Sequence, residues 1–98
     1  MKVKIGSLVY KLKLSQMPLC GCANIDELEI LVNNKFPKPV NEQTFLHEAV
    51  HLMLDEIGQE ELCEDENFVE AFSKQIHFFL KNNNLNKIYE FIGGANGS

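Results

Sequence analysis

The segment TFLHEAVHLML, residues 44–54, decides the fold of this 98-residue chain. After Thr44, its only polar residues are Glu48 and two of the chain's three histidines, His47 and His51. Apolar residues around most of its circumference indicate a helix packed into the core, where a carboxylate and two imidazoles are costly to bury without compensation. The segment therefore predicts a central helix whose polar side chains are compensated by a shared ligand.

The two histidines have the spacing of metal ligands on a helix. His47 and His51 are four residues apart, so they lie on one face, one turn from each other, and both rings can reach a single ion. Glu48 is rotated by about 100° from His47, which keeps its carboxylate beside the ion. H-E-x-x-H on a helix thus supplies two zinc ligands and a base for a metal-activated water. Two histidines satisfied by hydrogen bonds alone are the weaker alternative.

Two histidines are too few ligands, because catalytic zinc takes three protein ligands and a water. A histidine six residues after His51 would offer the third, but that position is Ile57. Glu66 and Glu70 share one side of a second predicted helix. We predict Glu70 as the third ligand, because packing fixes a side chain inside a helix whereas Glu66 is near a fraying end. Glu66 is kept as the alternative.

The chain before the metal helix predicts a small sheet. Apolar and polar residues alternate in part over residues 2–14, which indicates a strand or hairpin. Residues 17–24 are typical of a turn region, and residues 25–33, IDELEILVN, alternate again. We expect this last strand to lie at an edge of the sheet.

Helix signals dominate the rest of the chain. The metal helix is expected over residues 42–57, with Asn41 as its cap and Gly58 at its end. A loop of acids should lead to a second amphipathic helix, residues 65–81, and a short third helix, residues 85–92.

These elements predict an α+β fold of one domain. A small, mostly antiparallel sheet should pack on the metal helix and on the helix that carries the third ligand. The domain is expected to span residues 1–92, and residues 93–98, GGANGS, should form a disordered tail.

Composition excludes several classes of function. The net charge is −5, and residues 41–98 carry most of the acids, so we expect no nucleic-acid partner. No apolar run approaches the roughly 18 residues that cross a bilayer, so we expect no membrane partner and a cytoplasmic location. Three cysteines, two of them only one residue apart, predict reduced thiols instead of a disulfide framework.

FLHEAVHLML, preceded by a strand and followed by a glutamate on a second helix, resembles the gluzincin metallopeptidases. It is similar in particular to the ImmA/IrrE-like group and to short HExxH proteins of phages and prophages. The resemblance implies zinc bound by His47, His51 and Glu70, with Glu48 as general base. It also implies hydrolysis of peptide bonds in a protein or peptide substrate, often a regulatory protein.

Two functions from different classes follow. The first is a zinc metallopeptidase whose substrate lies extended along residues 28–32. The second is a catalytically weak or inactive, zinc-stabilised interaction module of phage or prophage type, whose acidic residues 55–70 bind a basic protein. Supporting roles are weaker predictions: Asp55 could orient a histidine, and an oxyanion could be stabilised by His77, Tyr10 or Tyr89.

Overall fold

Four short strands form a mixed sheet in the first third of the chain, and four helices follow. The structure, a computed structural model, describes residues 1–94. Its architecture confirms the predicted α+β class. The strands are β1 (Lys2–Ile5), β2 (Leu8–Ser15), β3 (Gly21–Asn24) and β4 (Glu29–Asn33), and the helices are α1 (Lys38–Glu56), α2 (Glu60–Glu64), α3 (Glu66–Asn82) and α4 (Leu85–Gly93).

The sheet has the strand order β1-β2-β4-β3. β1 pairs with β2 and β3 pairs with β4 in antiparallel fashion, whereas β2 and β4 run parallel. The sheet is therefore mostly antiparallel, as predicted. The predicted hairpin within residues 2–14 is formed by β1 and β2, and its turn places Gly6 at φ 59°, a conformation that glycine adopts without steric cost.

The expectation of an edge strand within residues 25–33 is wrong. β4 pairs with β2 on one side and with β3 on the other, so both of its backbone edges are hydrogen-bonded. The outer strands are β1 and β3, and β3 forms where the sequence predicts a turn. Four residues with one glycine carry too little alternation to reveal a strand, and pairing with β4 supplies the structure that local propensity lacks.

α1 begins four residues before its predicted start. Pro37 precedes its first residue and Pro39 lies in its first turn, where a missing N–H costs no hydrogen bond. Asn41 is therefore not the cap; it lies within the helix, and its Nδ2 donates to the Phe36 carbonyl at 2.9 Å. At the other end, Gly58 follows the helix with φ 77°, as the sequence predicts.

The other helices agree with prediction, with one addition. Asp65 caps α3 by accepting a hydrogen bond from the Phe68 amide at 3.0 Å, and Asn84 caps α4 in the same way. α2 occupies the segment expected to be an acidic loop. Of the predicted tail, Gly93 ends α4, and residues 95–98 lie outside the described residues. Among the described helices, none has the length and apolar character that crossing a membrane requires.

α1 is apolar around most of its circumference because it packs on two sides. One side meets the sheet, and the other meets α3. This double burial makes α1 the centre of the fold and holds its polar turn, His47 to His51, in a fixed place. The cluster on the sheet side comprises Ile5, Tyr10, Ile30, Val32, Ala49 and Leu52, and the cluster on the α3 side comprises Val50, Leu54 and Val69.

Asn33, at the end of β4, is a buried polar side chain that holds the loop between β2 and β3. Its Nδ2 donates to the carbonyls of Met17 at 2.7 Å and Leu19 at 3.1 Å. Its Oδ1 accepts from the Lys35 amide at 3.0 Å. Asn33 is only 3% exposed, so water cannot readily replace these bonds.

Replacing Asn33 should therefore destabilise the sheet. We expect Asn33→Ala to lower the free energy of unfolding by about 2 kcal/mol, measured by urea denaturation, because partly buried carbonyls lose their donors. Asn34→Ala is the matched control, since the exposed Asn34 side chain makes no hydrogen bond in the described chain. Equal effects of the two substitutions would show that the Asn33 contacts contribute nothing.

Candidate metal centre

α1 and α3 pack antiparallel, and this packing brings the candidate ligands together. At one end of the pair, Lys81 Nζ lies 2.8 Å from Glu42 Oε1. In the middle, Gln43 Nε2 donates to Ser73 Oγ at 2.9 Å, and Ser73 is fully buried. These contacts set the register, so that the first turn of α3 lies opposite the second half of α1.

Both imidazoles are directed at one carboxylate. His47 Nε2 lies 3.1 Å from Glu66 Oε2, and His51 Nε2 lies 3.0 Å from Glu66 Oε1. One ligand atom from each of the three residues can be chosen so that all lie within 4.8 Å of one another. Among residues 1–94, His47, His51 and Glu66 thus form a possible metal site.

Two imidazole nitrogens and one carboxylate oxygen are donors that a divalent metal ion takes, zinc among them. Zinc bonds to imidazole nitrogen and carboxylate oxygen are about 2.0–2.2 Å long, so ligand atoms around a tetrahedral ion are separated by roughly 3.3 Å. The nitrogen–oxygen distances of 3.0 and 3.1 Å are close to that separation. These two distances are therefore compatible with one ion shared by His47, His51 and Glu66.

The arrangement favours Glu66, the alternative in the sequence analysis, over Glu70. Glu70 Oε2 lies 3.1 Å from Nδ1 of His47, the ring nitrogen that faces away from the shared carboxylate. Glu66 lies in the first turn of α3, where the sequence analysis expects fraying. Asp65 caps this turn and so positions Glu66. No described contact joins Glu70 to His51, and ligation by Glu70 stays a prediction.

Each histidine has a further partner at Nδ1. Glu70 faces Nδ1 of His47, and the sulfur of Cys63 lies 3.8 Å from Nδ1 of His51. A histidine that binds metal through Nε2 carries its proton on Nδ1 and donates it to such acceptors, which fixes the tautomer and the ring orientation. Glu70 and Cys63 are therefore placed to orient the ligands.

The role of Cys63 is not visible in the sequence. Its thiol also donates to the His51 carbonyl at 3.2 Å, which anchors α2 against α1. Burial, followed by the charges of Asp55 and Glu64, raises the pKa of Cys63, so the sulfur keeps the proton that it donates. Because α2 is a short helix that the sequence analysis did not predict, nothing in the pattern linked Cys63 to His51.

Glu48 lies beside the ligand cluster and is half-buried. Burial raises the pKa of its carboxyl above the ordinary value; the charges of His47 and His51 oppose the shift, and that of Glu66 adds to it. A carboxylate with a raised pKa is a stronger proton acceptor near neutral pH. Glu48 is not one of the three residues whose ligand atoms cluster, and its role as a base stays a prediction.

The other candidate residues lie away from the cluster. Tyr10 is buried between the sheet and α1, whereas Tyr89 is exposed on α4. His77 lines a groove on another flank of α1. No hydrogen bond or ion pair among the described residues joins Asp55 to either ligand histidine. The structure thus gives none of these four residues a contact with the candidate metal centre.

Neutral substitutions separate the two glutamates. Glutamine keeps an oxygen that can accept from Nδ1 of His47 but is a poor zinc ligand, since it has no charge. We expect Glu66→Gln to weaken zinc binding about a hundredfold or more, and Glu70→Gln to change it only a few-fold. Competition with a chromophoric chelator measures both affinities. A larger loss of zinc affinity in Glu70→Gln than in Glu66→Gln would instead identify Glu70 as the ligand.

Metal should also stabilise the fold, because the candidate ligands join α1 to α3. An ion bound only by the folded state stabilises it by mass action, so we expect a chelator to lower the melting temperature of the zinc-loaded protein by roughly 10 °C. His51→Ala is the control and should melt at one temperature with and without chelator. Coincident wild-type curves would show that no metal joins the helices.

Comparison of the chain with protein-family models, with curated proteins and with solved structures finds no match. The resemblance to gluzincins therefore rests on the HExxH stretch and on the glutamates of α3. The possible metal site itself rests on the positions of His47, His51 and Glu66.

Proposed function

We propose that this protein is a zinc-dependent metallopeptidase that hydrolyses peptide bonds in a protein or peptide substrate. Zinc would be held by His47, His51 and Glu66, and Glu48 would be the general base. The observation that carries the proposal is the convergence of both Nε2 atoms on one carboxylate, with a half-buried glutamate of raised pKa beside them.

Each protein group then has a separate task. When bound, zinc supplies Lewis acidity, which acidifies a water and polarises a peptide carbonyl. Glu48 accepts a proton from the attacking water and returns it to the nitrogen of the leaving amine. Burial supports this role, since the raised pKa allows the Glu48 carboxyl to hold the proton between the two transfers.

The substrate is better placed on β3 than on residues 28–32. β4 cannot pair with a peptide, because its two edges are already hydrogen-bonded to β2 and β3. Among residues 1–94, no strand pairs with the outer edge of β3. Gly21 in β3 packs closely on Thr44 of α1, where an added Cβ would lie 2.6 Å from the Thr44 methyl group. An extended peptide added to β3 would therefore run beside the α1 turn that leads into His47.

One observation favours the second function, a zinc-stabilised interaction module. The Glu66 side chain is 68% exposed, so the candidate site is open on that side and has little wall to enclose a substrate. A module of this kind would use the acids of α2 and of the first turn of α3 to bind a basic protein. It would need the metal for stability and would not need Glu48.

Glu48 therefore discriminates between the two functions. We expect Glu48→Gln to retain zinc and to lower peptidase activity by about 10²–10⁴, because it removes a base and no ligand. Cleavage of a degenerate fluorogenic peptide library by the zinc-loaded protein measures the activity. Glu60→Gln, a change to an exposed acid on α2, should leave zinc binding and cleavage unchanged.

Two results would contradict the assignment. Loss of zinc in Glu48→Gln to the extent seen in His51→Ala would make Glu48 a ligand. A wild-type protein that binds zinc but cleaves nothing in the library would favour the interaction module.

A further inference from the structure

Thr44 lies one helical turn before the candidate metal centre, on the face of α1 that carries Glu48. At 100° per residue, Thr44 lies about 60° from His47 and about 40° from Glu48 around the helix axis. The spacings i, i+4 and i+7 relate Thr44 to Glu48 and His51, so these three side chains share one face. A peptide that reaches the candidate metal centre along this face also passes Thr44.

The methyl group of Thr44 is held against β3. A Cβ added at Gly21 would lie 2.6 Å from this methyl group, so the strand and the helix are in direct contact at this point. A β-branched side chain has few rotamers in a helix, and the contact with Gly21 leaves it still fewer. The packing therefore also fixes the hydroxyl group, which is attached to the same Cβ.

The hydroxyl group of Thr44 forms no hydrogen bond within residues 1–94. It is also not one of the buried polar atoms that lack a partner there, so solvent reaches it. The hydroxyl of Ser73 on α3 differs, because it accepts from Gln43 Nε2 at 2.9 Å and donates to the Glu70 carbonyl at 3.1 Å. Thr44 thus offers a fixed donor and acceptor on the face that carries Glu48.

The pleat of β3 determines which residue of an added peptide would meet this hydroxyl. Side chains alternate along a strand, and Gly21 and Ala23 are the β3 residues that face α1. Residues directly opposite each other on neighbouring strands point to the same side of the sheet. A peptide residue opposite Gly21 would therefore point towards α1, and the missing side chain of Gly21 leaves it a path to Thr44.

This peptide residue would lie near the bond at the metal. Thr44 and Glu48 are separated by about 6 Å along the helix, at 1.5 Å per residue. An extended peptide advances by about 3.3 Å per residue. For a peptide that runs along α1, the residue that meets Thr44 is therefore about two residues away from the bond that faces Glu48.

We propose that Thr44 is a substrate-binding residue, and that its hydroxyl selects peptides with a hydroxyl or amide side chain about two residues from the cleaved bond. This inference rests on the proposed peptidase function and adds a specificity to it. Serine, threonine, asparagine and glutamine side chains can each donate to and accept from a hydroxyl group. An aliphatic side chain of the same size would leave the Thr44 hydroxyl without this partner.

Peptides that differ by threonine or valine at a single position test the proposal, because the two side chains have the same shape. A scan places each of them at every position within two residues of the bond that the zinc-loaded protein cleaves. We expect wild type to cleave the threonine peptide about three- to tenfold more efficiently at one position, measured as kcat/KM, in line with one hydrogen bond between neutral groups.

Two variants of Thr44 separate its hydroxyl from its packing. Thr44→Val keeps the methyl contact with Gly21 and removes the hydroxyl, so the ratio of the two kcat/KM values should fall to about one. Thr44→Ser keeps the hydroxyl and should keep the preference. Zinc affinity should be unchanged in both variants, since neither alters a ligand. A purely structural role of Thr44 would lower the cleavage of both peptides and leave their ratio unchanged.

Binding measurements separate this inference from the peptidase assignment. Fluorescence anisotropy of the same labelled peptides with zinc-loaded Glu48→Gln needs no cleavage, and the threonine or valine is then placed at each position in turn. We expect a similar preference for threonine, and its loss when Thr44→Val is added. A wild type that cleaves nothing while this preference is present would contradict the peptidase function and support the role of Thr44. A preference that persists without the hydroxyl, the same affinity for both peptides at every position, or no peptide binding would overturn the role of Thr44.

Discussion

The candidate metal centre depends on one bridge between helices, in which the Glu66 carboxylate of α3 meets Nε2 of both His47 and His51 of α1. Beside this bridge, Val69 of α3 packs on Val50 and Leu54 of α1, and Glu70 Oε2 lies 3.1 Å from Nδ1 of His47. The polar bridge and the apolar packing act at neighbouring positions, so the geometry of the candidate metal centre and the stability of the α1–α3 pair cannot be changed independently.

Much of this arrangement follows from sequence. Four-residue spacing places His47 and His51 on one face of any helix, and the apolar residues between them require that helix to be central. Sequence alone does not separate Glu66 from Glu70, because both lie on the same side of α3. Their separation depends on the register between two helices, which the buried Gln43–Ser73 hydrogen bond sets and no local pattern encodes.

The predicted edge position of the strand within residues 25–33 is wrong for a similar reason. Alternation in β4 shows which residues share a face, but it does not show whether the backbone edges are paired. β3 is recognisable only through its pairing with β4, and that pairing makes β3, and not β4, an outer strand of the sheet. Cys63 belongs to the same class of missed features, since α2 brings it to His51 by tertiary packing alone.

The charges around the candidate metal centre indicate that a bound ion would stabilise the fold by more than its bonds to the ligands alone. Eight acids and no basic residues lie in the segment from Asp55 to Glu70, which runs from the last turn of α1 through α2 into the start of α3. Helix N-termini favour some of these charges, but the acids repel one another across a short distance. A divalent cation at Glu66 would offset that repulsion while the two histidines remain neutral. Both the positive charge of the ion and its bonds to the ligands would then hold the first turn of α3 in place. Salt should screen the attraction between the ion and its ligands less than it screens the repulsion among the exposed acids.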